Sequence, residues 1–203
     1  MSEELVQAAE ALSVYLQKEL EFTVVDKEDS AIMKAVVTGL DIARFFGATV
    51  PDHKAFMENY ATTIGTVVGL PKSMRENPRV KIEVVPHEGQ HTIQFNEQKV
   101  AFPWLFLKHP ADRAQFEADA YAASLSMRWW LTGHLPSVEE INGVIQSLVA
   151  GYHLRVEDIS YARVAIMSHV ESIRDGIHMT KAARLAIAFM DANYPHLKGT
   201  LPA

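Results

Sequence analysis

Cysteine is absent from the 203 residues of this chain. Without thiols the protein can form neither disulfides nor thiolate metal sites, so any metal ligands must come from histidine and carboxylate side chains. The same absence leaves the redox compartment open, because reducing and oxidising environments are both compatible with a cysteine-free chain.

Long apolar runs are also lacking, and no stretch approaches the roughly 18 consecutive apolar residues of a membrane span. The N-terminal residues 1–5 are acidic rather than apolar, so we expect no cleaved signal peptide and a cytoplasmic location. Export without a cleaved signal, or packaging in a particle, stays open. The formal net charge of −6 provides no general basic field for nucleic acid.

Several functional motifs are missing as well. The chain has no glycine-rich phosphate loop and no Gly-x-Ser-x-Gly nucleophile elbow. Its apolar content of 48% and charged content of 22% are ordinary for a globular protein. We therefore expect a chain of this length to bury a core of useful size.

Helical periodicity and capping residues dominate the chain. They predict helices over residues 2–20, 30–46, 78–95, 110–131, 137–151, 156–175 and 180–193. Short β-branched stretches predict strands at 22–25 and 60–71, and residues 97–109 read as an irregular connection. The expected fold class is α+β and mostly α, with residues 1–135 forming a core on which a helical part, 136–203, packs.

The most specific motif is His87-Glu88-x-x-His91. Residues four apart share one face of a helix, so both imidazoles can bind one metal ion. Glu88 then leans toward the open side of the metal, where it can accept a proton from a bound water. Catalytic zinc sites commonly add a third protein ligand and leave the fourth position to water.

The predicted helix 110–131 provides two candidates for the third ligand, Glu117 and Asp119. They lie about 200° apart around a helix, so only one of them can face the metal. We expect Glu117, because the alanines that surround it allow a close approach of the two helices. Asp119 remains the competing candidate.

These residues together resemble the gluzincin zinc metallopeptidases. The resemblance covers residues 55–130 and rests on the histidine motif extended by Gln94, on Glu117-x-x-Ala120 within the run 113–121, and on the preceding strand 63–70. It implies a zincin-like core, with a small sheet that has an edge strand and two metal-bearing helices. Peptide deformylases share the histidine motif but need a cysteine ligand, so this chain cannot be one.

The resemblance also implies roles for individual residues. Zinc would be the cofactor, with His87, His91 and Glu117 as its ligands and Glu88 as the general base. Tyr121 would stabilise the oxyanion, and Asp119 would orient a ligand histidine. The edge strand would pair with an extended peptide substrate through Thr66, Val67 and Val68.

This chain departs from the gluzincin pattern at three positions. Pro86 precedes the motif and Gly89 lies within it, and both lower helix propensity. Tyr121 stands where many gluzincins have an acidic residue, and a core aromatic is the competing interpretation of that tyrosine. We therefore expect a zinc metallopeptidase. The alternative is a catalytically inactive zincin-like domain that serves as a structural or interaction component of a larger assembly, such as a virus particle.

Overall fold

The computed structural model describes residues 2–45, 53–99, 101–152 and 156–202. Helices dominate these ranges, and a three-stranded sheet accompanies them, which confirms an α+β fold that is mostly α. The elements in chain order are α1 (Glu3–Leu20), β1 (Thr23–Asp26), α2 (Ala31–Phe45), α3 (His53–Asn59), β2 (Thr62–Ile64), β3 (Val67–Leu70), α4 (Lys72–Arg75), α5 (Pro78–Gln98), α6 (Ala101–Lys108), α7 (Pro110–Thr132), α8 (Val138–Tyr152), α9 (Val156–Arg174) and α10 (Lys181–Asn193).

The two helices that carry the predicted ligands, α5 and α7, begin where the sequence predicts, and α7 ends within one residue of its predicted end, whereas α5 continues three residues beyond position 95. The Asn77 side chain accepts the Val80 amide and Pro78 occupies the first helical position of α5. The helix continues through Pro86 as one element. Helix α7 ends at Gly133, which adopts the left-handed conformation, with φ of 71°, that terminates many helices.

The segment predicted as a single strand over 60–71 is instead a hairpin. Gly65, with φ of 62°, and Thr66 form the turn between β2 and β3. The strand order is β1-β3-β2, with β1 parallel to β3 and β2 antiparallel to it. β3 is therefore central, and of the two edge strands β2 is the one that contacts α5.

The prediction of an irregular connection over 97–109 is wrong, because α6 occupies most of it. Phe102 is buried and packs against Phe95 and Phe116, whose rings lie 6.3 and 5.1 Å away between centroids. Pro103 stands in the first turn of the helix, where its missing N–H costs no helical hydrogen bond. The short helices α3 and α4 were also missed.

Two hydrophobic cores organise the described residues. The first, here called the sheet-side core, joins the sheet to α1, α5, α10 and the C-terminal half of α7. The second, here called the hairpin core, joins α7 to the antiparallel pair α8 and α9 through Ala114, Ala118, Leu125, Ile145, Leu148, Ile166 and Val170. Because α7 contributes to both, it is the element that connects them.

Gly89, inside the histidine motif, marks a close approach between α5 and the end of α1. A Cβ atom at this position would lie 2.9 Å from the Leu20 Cδ1 atom and 3.5 Å from the Phe22 ring. The glycine that lowers helix propensity therefore gains a packing contact. Among the described residues, no helix has the length and apolarity needed to cross a membrane.

Candidate metal centre

The packing of α5 against α7 brings His87, His91 and Glu117 together. Their side chains are 13%, 8% and 2% exposed. One donor atom from each of the three lies within 4.8 Å of the other two. This is the arrangement expected from two histidines one helical turn apart facing a carboxylate on a neighbouring helix.

The separations between the donor atoms suit a shared metal ion. The Nε2 atom of His91 lies 3.5 Å from one carboxylate oxygen of Glu117, and the Nε2 atom of His87 lies 3.8 Å from the other. Two ligands of a tetrahedral ion, each about 2.0 Å from it, are about 3.3 Å apart. The three residues could therefore hold a metal ion with little rearrangement.

A hydrogen bond on the far side of the His91 ring sets its orientation. Its Nδ1 atom lies 2.9 Å from the Gln94 side-chain oxygen, while the Gln94 amide nitrogen donates to the Phe116 carbonyl on α7 at 2.9 Å. Since that donation turns the Gln94 oxygen toward His91, the histidine carries its proton on Nδ1. The lone pair of Nε2 then faces Glu117.

Ser124 plays the same part for His87, although at a longer distance. Its hydroxyl donates to the Glu83 carbonyl at 3.0 Å, and its oxygen lies 3.4 Å from the His87 Nδ1 atom. Burial, followed by the repulsion that a protonated His91 would exert, lowers the pKa of His87 well below its usual value. His87 is thus a neutral imidazole with a lone pair available on Nε2.

Glu88 is buried beside the three candidate ligands, with 4% of its surface exposed. The Thr63 hydroxyl, on edge strand β2, donates to the Glu88 Oε2 atom at 2.5 Å. Burial raises the pKa of the Glu88 carboxyl, while His91, the Thr63 hydrogen bond and Lys27 oppose that rise. The hydrogen bond fixes one carboxylate oxygen of Glu88 relative to the sheet.

Tyr121 lies against His87, one of the three candidate ligands. Its ring is perpendicular to that of His87, at 85° and 4.8 Å between centroids. Burial raises the pKa of the Tyr121 hydroxyl above its usual value, and the negative charges of Glu117 and Glu88 raise it further. Tyr121 therefore keeps its proton and can act as a hydrogen-bond donor.

Asp119 does not contact the ligand histidines in the way that the sequence predicts. It accepts hydrogen bonds from Gln115 at 2.8 Å and from His169 on α9 at 3.0 Å. Two residues beyond Glu117, it lies on the opposite side of α7. The contacts that orient the histidines come instead from Gln94 and Ser124. The sequence analysis gave Gln94 no role beyond extending the motif, and it missed Ser124.

The substrate-pairing role predicted for Thr66, Val67 and Val68 conflicts with the sheet. Thr66 is in the hairpin turn, and β3 pairs with β1 and β2 through both of its edges. A peptide cannot add to a central strand. The edge strand that contacts Glu88 is β2, which contains Thr63 and ends two residues before β3 begins at Val67.

Comparison of the chain with protein-family models, with curated proteins and with solved structures yields no match. The conclusions about function therefore rest on the chemistry of the buried cluster formed by His87, His91 and Glu117, together with Glu88.

Proposed function

We propose that this protein is a zinc-dependent metallopeptidase. The observation that carries the proposal is the buried cluster of His87, His91 and Glu117 with the carboxyl group of Glu88 held beside it. Two imidazoles and one carboxylate form a donor set common among catalytic zinc sites, and such a set leaves a position for water.

The ligands fit this ion in protonation as well as in position. Both histidines hold Nδ1–H in contacts with Gln94 and Ser124, which leaves the Nε2 lone pairs for the metal. When bound there, zinc would supply a water nucleophile at neutral pH and would polarise the carbonyl group of the substrate. Because the chain has no cysteine, metals that require thiolate ligands cannot bind here.

The surrounding residues provide the proton transfers that peptide hydrolysis needs. Glu88 accepts the proton of the attacking water on its carboxylate and passes it to the leaving amine nitrogen. The Thr63 hydrogen bond keeps that carboxylate in place. Tyr121, protonated beside His87, donates to the oxyanion that develops on the substrate carbonyl.

The substrate is an extended peptide that lies along β2. Because β2 is the edge strand that contacts Glu88, its outer backbone groups can pair with a peptide by strand addition. Thr63 joins this edge to the general base, so pairing would place a peptide bond near the reacting groups. On the other flank, the Phe106 ring of α6 lies perpendicular to His91 at 6.1 Å.

Metal analysis and a cleavage assay test the proposal in that order. Zinc content is measured by mass spectrometry for the wild type, Glu117→Ala and the matched control Asp119→Ala on the same helix. We expect one equivalent of zinc in the wild type and in the Asp119 variant, and its loss in the Glu117 variant. Absence of zinc from reconstituted wild-type protein would refute the metal site.

The second step separates an enzyme from a metal-stabilised structural domain. A peptide library is incubated with zinc-loaded wild type and with Glu88→Gln, which keeps the shape of the side chain but cannot accept the proton. We expect the variant to retain zinc and to lose at least about 100-fold in kcat. Zinc binding without cleavage of any peptide would instead favour the structural role.

A further inference from the structure

Lys27 is completely buried, although lysine is seldom found inside a protein. It directly follows β1, and its backbone N–H donates to the Leu70 carbonyl at the end of β3, at 3.2 Å. A buried ammonium group is strongly disfavoured unless partners replace the lost water. The identity of those partners therefore indicates what the residue does.

The Lys27 ammonium group has three oxygen partners at short distances. Its Nζ atom donates to the Phe56 carbonyl at 2.7 Å, the Tyr60 carbonyl at 2.6 Å and the Thr62 hydroxyl oxygen at 2.7 Å. It also lies 3.7 Å from the centroid of the Phe56 ring. All three ammonium protons are thus used.

The three oxygens come from one short segment of the chain. Phe56 is in α3, Tyr60 lies between α3 and β2, and Thr62 is the first residue of β2. Lys27 itself follows β1, on the opposite side of central strand β3. Its side chain therefore connects the two outer strands and fixes the point at which the chain enters β2.

The next residue along β2 contacts the general base. Successive side chains of a strand point to opposite faces, so Thr62 and Thr63 face in opposite directions. Thr62 binds Lys27, and Thr63 donates to the Glu88 carboxylate. One face of β2 is thus fastened to Lys27 while the other face orients Glu88.

We propose that Lys27 is a positioning residue that holds β2 in place and, through Thr63, sets the orientation of the Glu88 carboxylate. The effect on catalysis rests on the proposed peptidase function, whereas the fastening of β2 does not. The hydrogen bonds of Lys27 go to Phe56, Tyr60 and Thr62, so they act on Glu88 through β2, in addition to the direct effect of the Lys27 charge described above.

Hydrogen–deuterium exchange of the full-length protein tests the fastening of β2 without a substrate. Lys27→Met removes the ammonium group and keeps an apolar chain of similar length. The matched control is Lys81→Met, since Lys81 is also buried but pairs with Glu10 on α1 at 2.6 Å. We expect amide exchange over residues 60–64 to become at least tenfold faster in the Lys27 variant alone.

An equal change in both variants, or unchanged exchange over 60–64, would overturn the proposal. If Lys27→Met does not fold, Thr62→Val replaces it, because this substitution removes one of the three partners and retains the β-branched shape. Faster exchange at 60–64 in Thr62→Val supports the fastening, and unchanged exchange contradicts it.

A double-variant cycle on peptide cleavage tests the connection to Glu88. Lys27→Met and Thr63→Val are each expected to lower kcat at least tenfold while zinc content stays at one equivalent. Combined, they should lower kcat no further than the worse single variant, because both interrupt the same path. Thr63→Ser should restore activity, since it restores the hydroxyl.

Additive losses in the double variant would show that Lys27 does not act through Thr63 and would overturn the proposed path. If zinc-loaded wild type cleaves nothing, the proposed peptidase function fails, and the exchange experiment still decides whether Lys27 holds β2. The two failures are therefore distinguishable.

Discussion

The sheet-side core and the hairpin core differ in how far apart in the sequence their members lie. The sheet-side core joins α1 and α10, from the two ends of the chain, to the sheet and α5. The hairpin core uses only residues 114–173, in three consecutive helices. The local contacts of the hairpin core cost less conformational entropy, because they close shorter loops.

The candidate metal centre takes its residues from helices that pack in both cores. His87, His91 and Glu88 are on α5, whose buried apolar residues pack only in the sheet-side core among the described residues. Glu117 is on α7 between Ala114 and Ala118, which pack in the hairpin core. Metal binding should therefore hold the two cores together along the α5–α7 contact.

The largest expected effect comes from truncating one large residue in each core. Trp130 is fully buried in the sheet-side core and donates to Asp191 on α10 at 2.7 Å, and Leu148 is fully buried in the hairpin core. We expect Trp130→Ala to lower the free energy of unfolding by about 3–5 kcal/mol, and Leu148→Ala by about 2–5 kcal/mol. Urea unfolding measures both.

The zinc content of the same two variants, measured under native conditions, tests whether the two cores support the metal site to different extents. Trp130→Ala should weaken zinc binding, because its core supports α5, while Leu148→Ala should retain one equivalent. Equal zinc loss in both variants would show that the cores do not support the site differently.

Zinc itself is the next largest effect. An ion that binds only the folded state at 100 times its Kd adds about 2.7 kcal/mol to the free energy of unfolding. Thermal unfolding with zinc and with a chelator measures this gain, which His91→Ala should abolish. Hydrogen exchange should slow along α5 and α7 more than in α8; protection confined to α5 would contradict fastening of the two cores.

The residues that orient the ligands should give a smaller change. Removing such a partner typically weakens metal binding by about 10–100-fold. We expect Gln94→Ala to reach this range, because its contact with His91 is 2.9 Å, and Ser124→Ala to fall below it, because its contact with His87 is 3.4 Å. Competition with a chromophoric chelator measures both, and the reverse order would contradict the assignment.

The smallest expected effect is a pH dependence of the free energy of unfolding, which arises from Glu140 beside the hairpin core. The Glu140 carboxylate, at the start of α8, accepts from Arg128 at 3.0 Å and from the Ser137 amide at 2.7 Å. The Ser137 amide hydrogen bond and then Arg128 outweigh the effect of burial and lower the pKa of Glu140 below its usual value. The contribution of Glu140 to the free energy of unfolding is therefore present above its unfolded-state pKa, and it is lost as the pH falls through its folded-state pKa.

Acid unfolding of Glu140→Gln beside the wild type checks this sign. The wild type should lose slightly more stability than the variant between neutral and acidic pH. The difference should be small and should shrink with salt, because 38% of the Glu140 side chain is exposed. A wild type that gains stability over the variant on acidification would contradict the assignment.

Sequence reasoning succeeded where a local pattern decides the structure. The predicted helix starts at 78 and 180 and the predicted end at 131 lie within one residue of the observed bounds, because Asn77 and Thr180 cap the starts, Gly133 terminates the end, and capping depends on a few adjacent residues. The proximity of His87 and His91 follows from the same kind of pattern, because a one-turn spacing brings both to one helix face.

The remaining features depend on tertiary contacts that no local pattern encodes. The β-branched run at 60–71 masked a hairpin, and which strand is central follows from the pairing of β3 with distant β1. Ser124 and Lys27 contact the site or its edge strand across 37 and 35 positions of sequence. Their roles emerge only once α7 and the sheet are placed beside α5.

The close packing of Gly89 against Leu20 has a consequence for engineering this site. In a motif written His-Glu-x-x-His, the third position is treated as interchangeable, yet here the neighbouring helix restricts it. Alanine would require a displaced Leu20 methyl group, whereas a bulky side chain would also meet the Phe22 ring and is expected to push α5 away from α1. A transplanted motif with a bulky residue at this position would therefore carry the right ligands on a displaced helix.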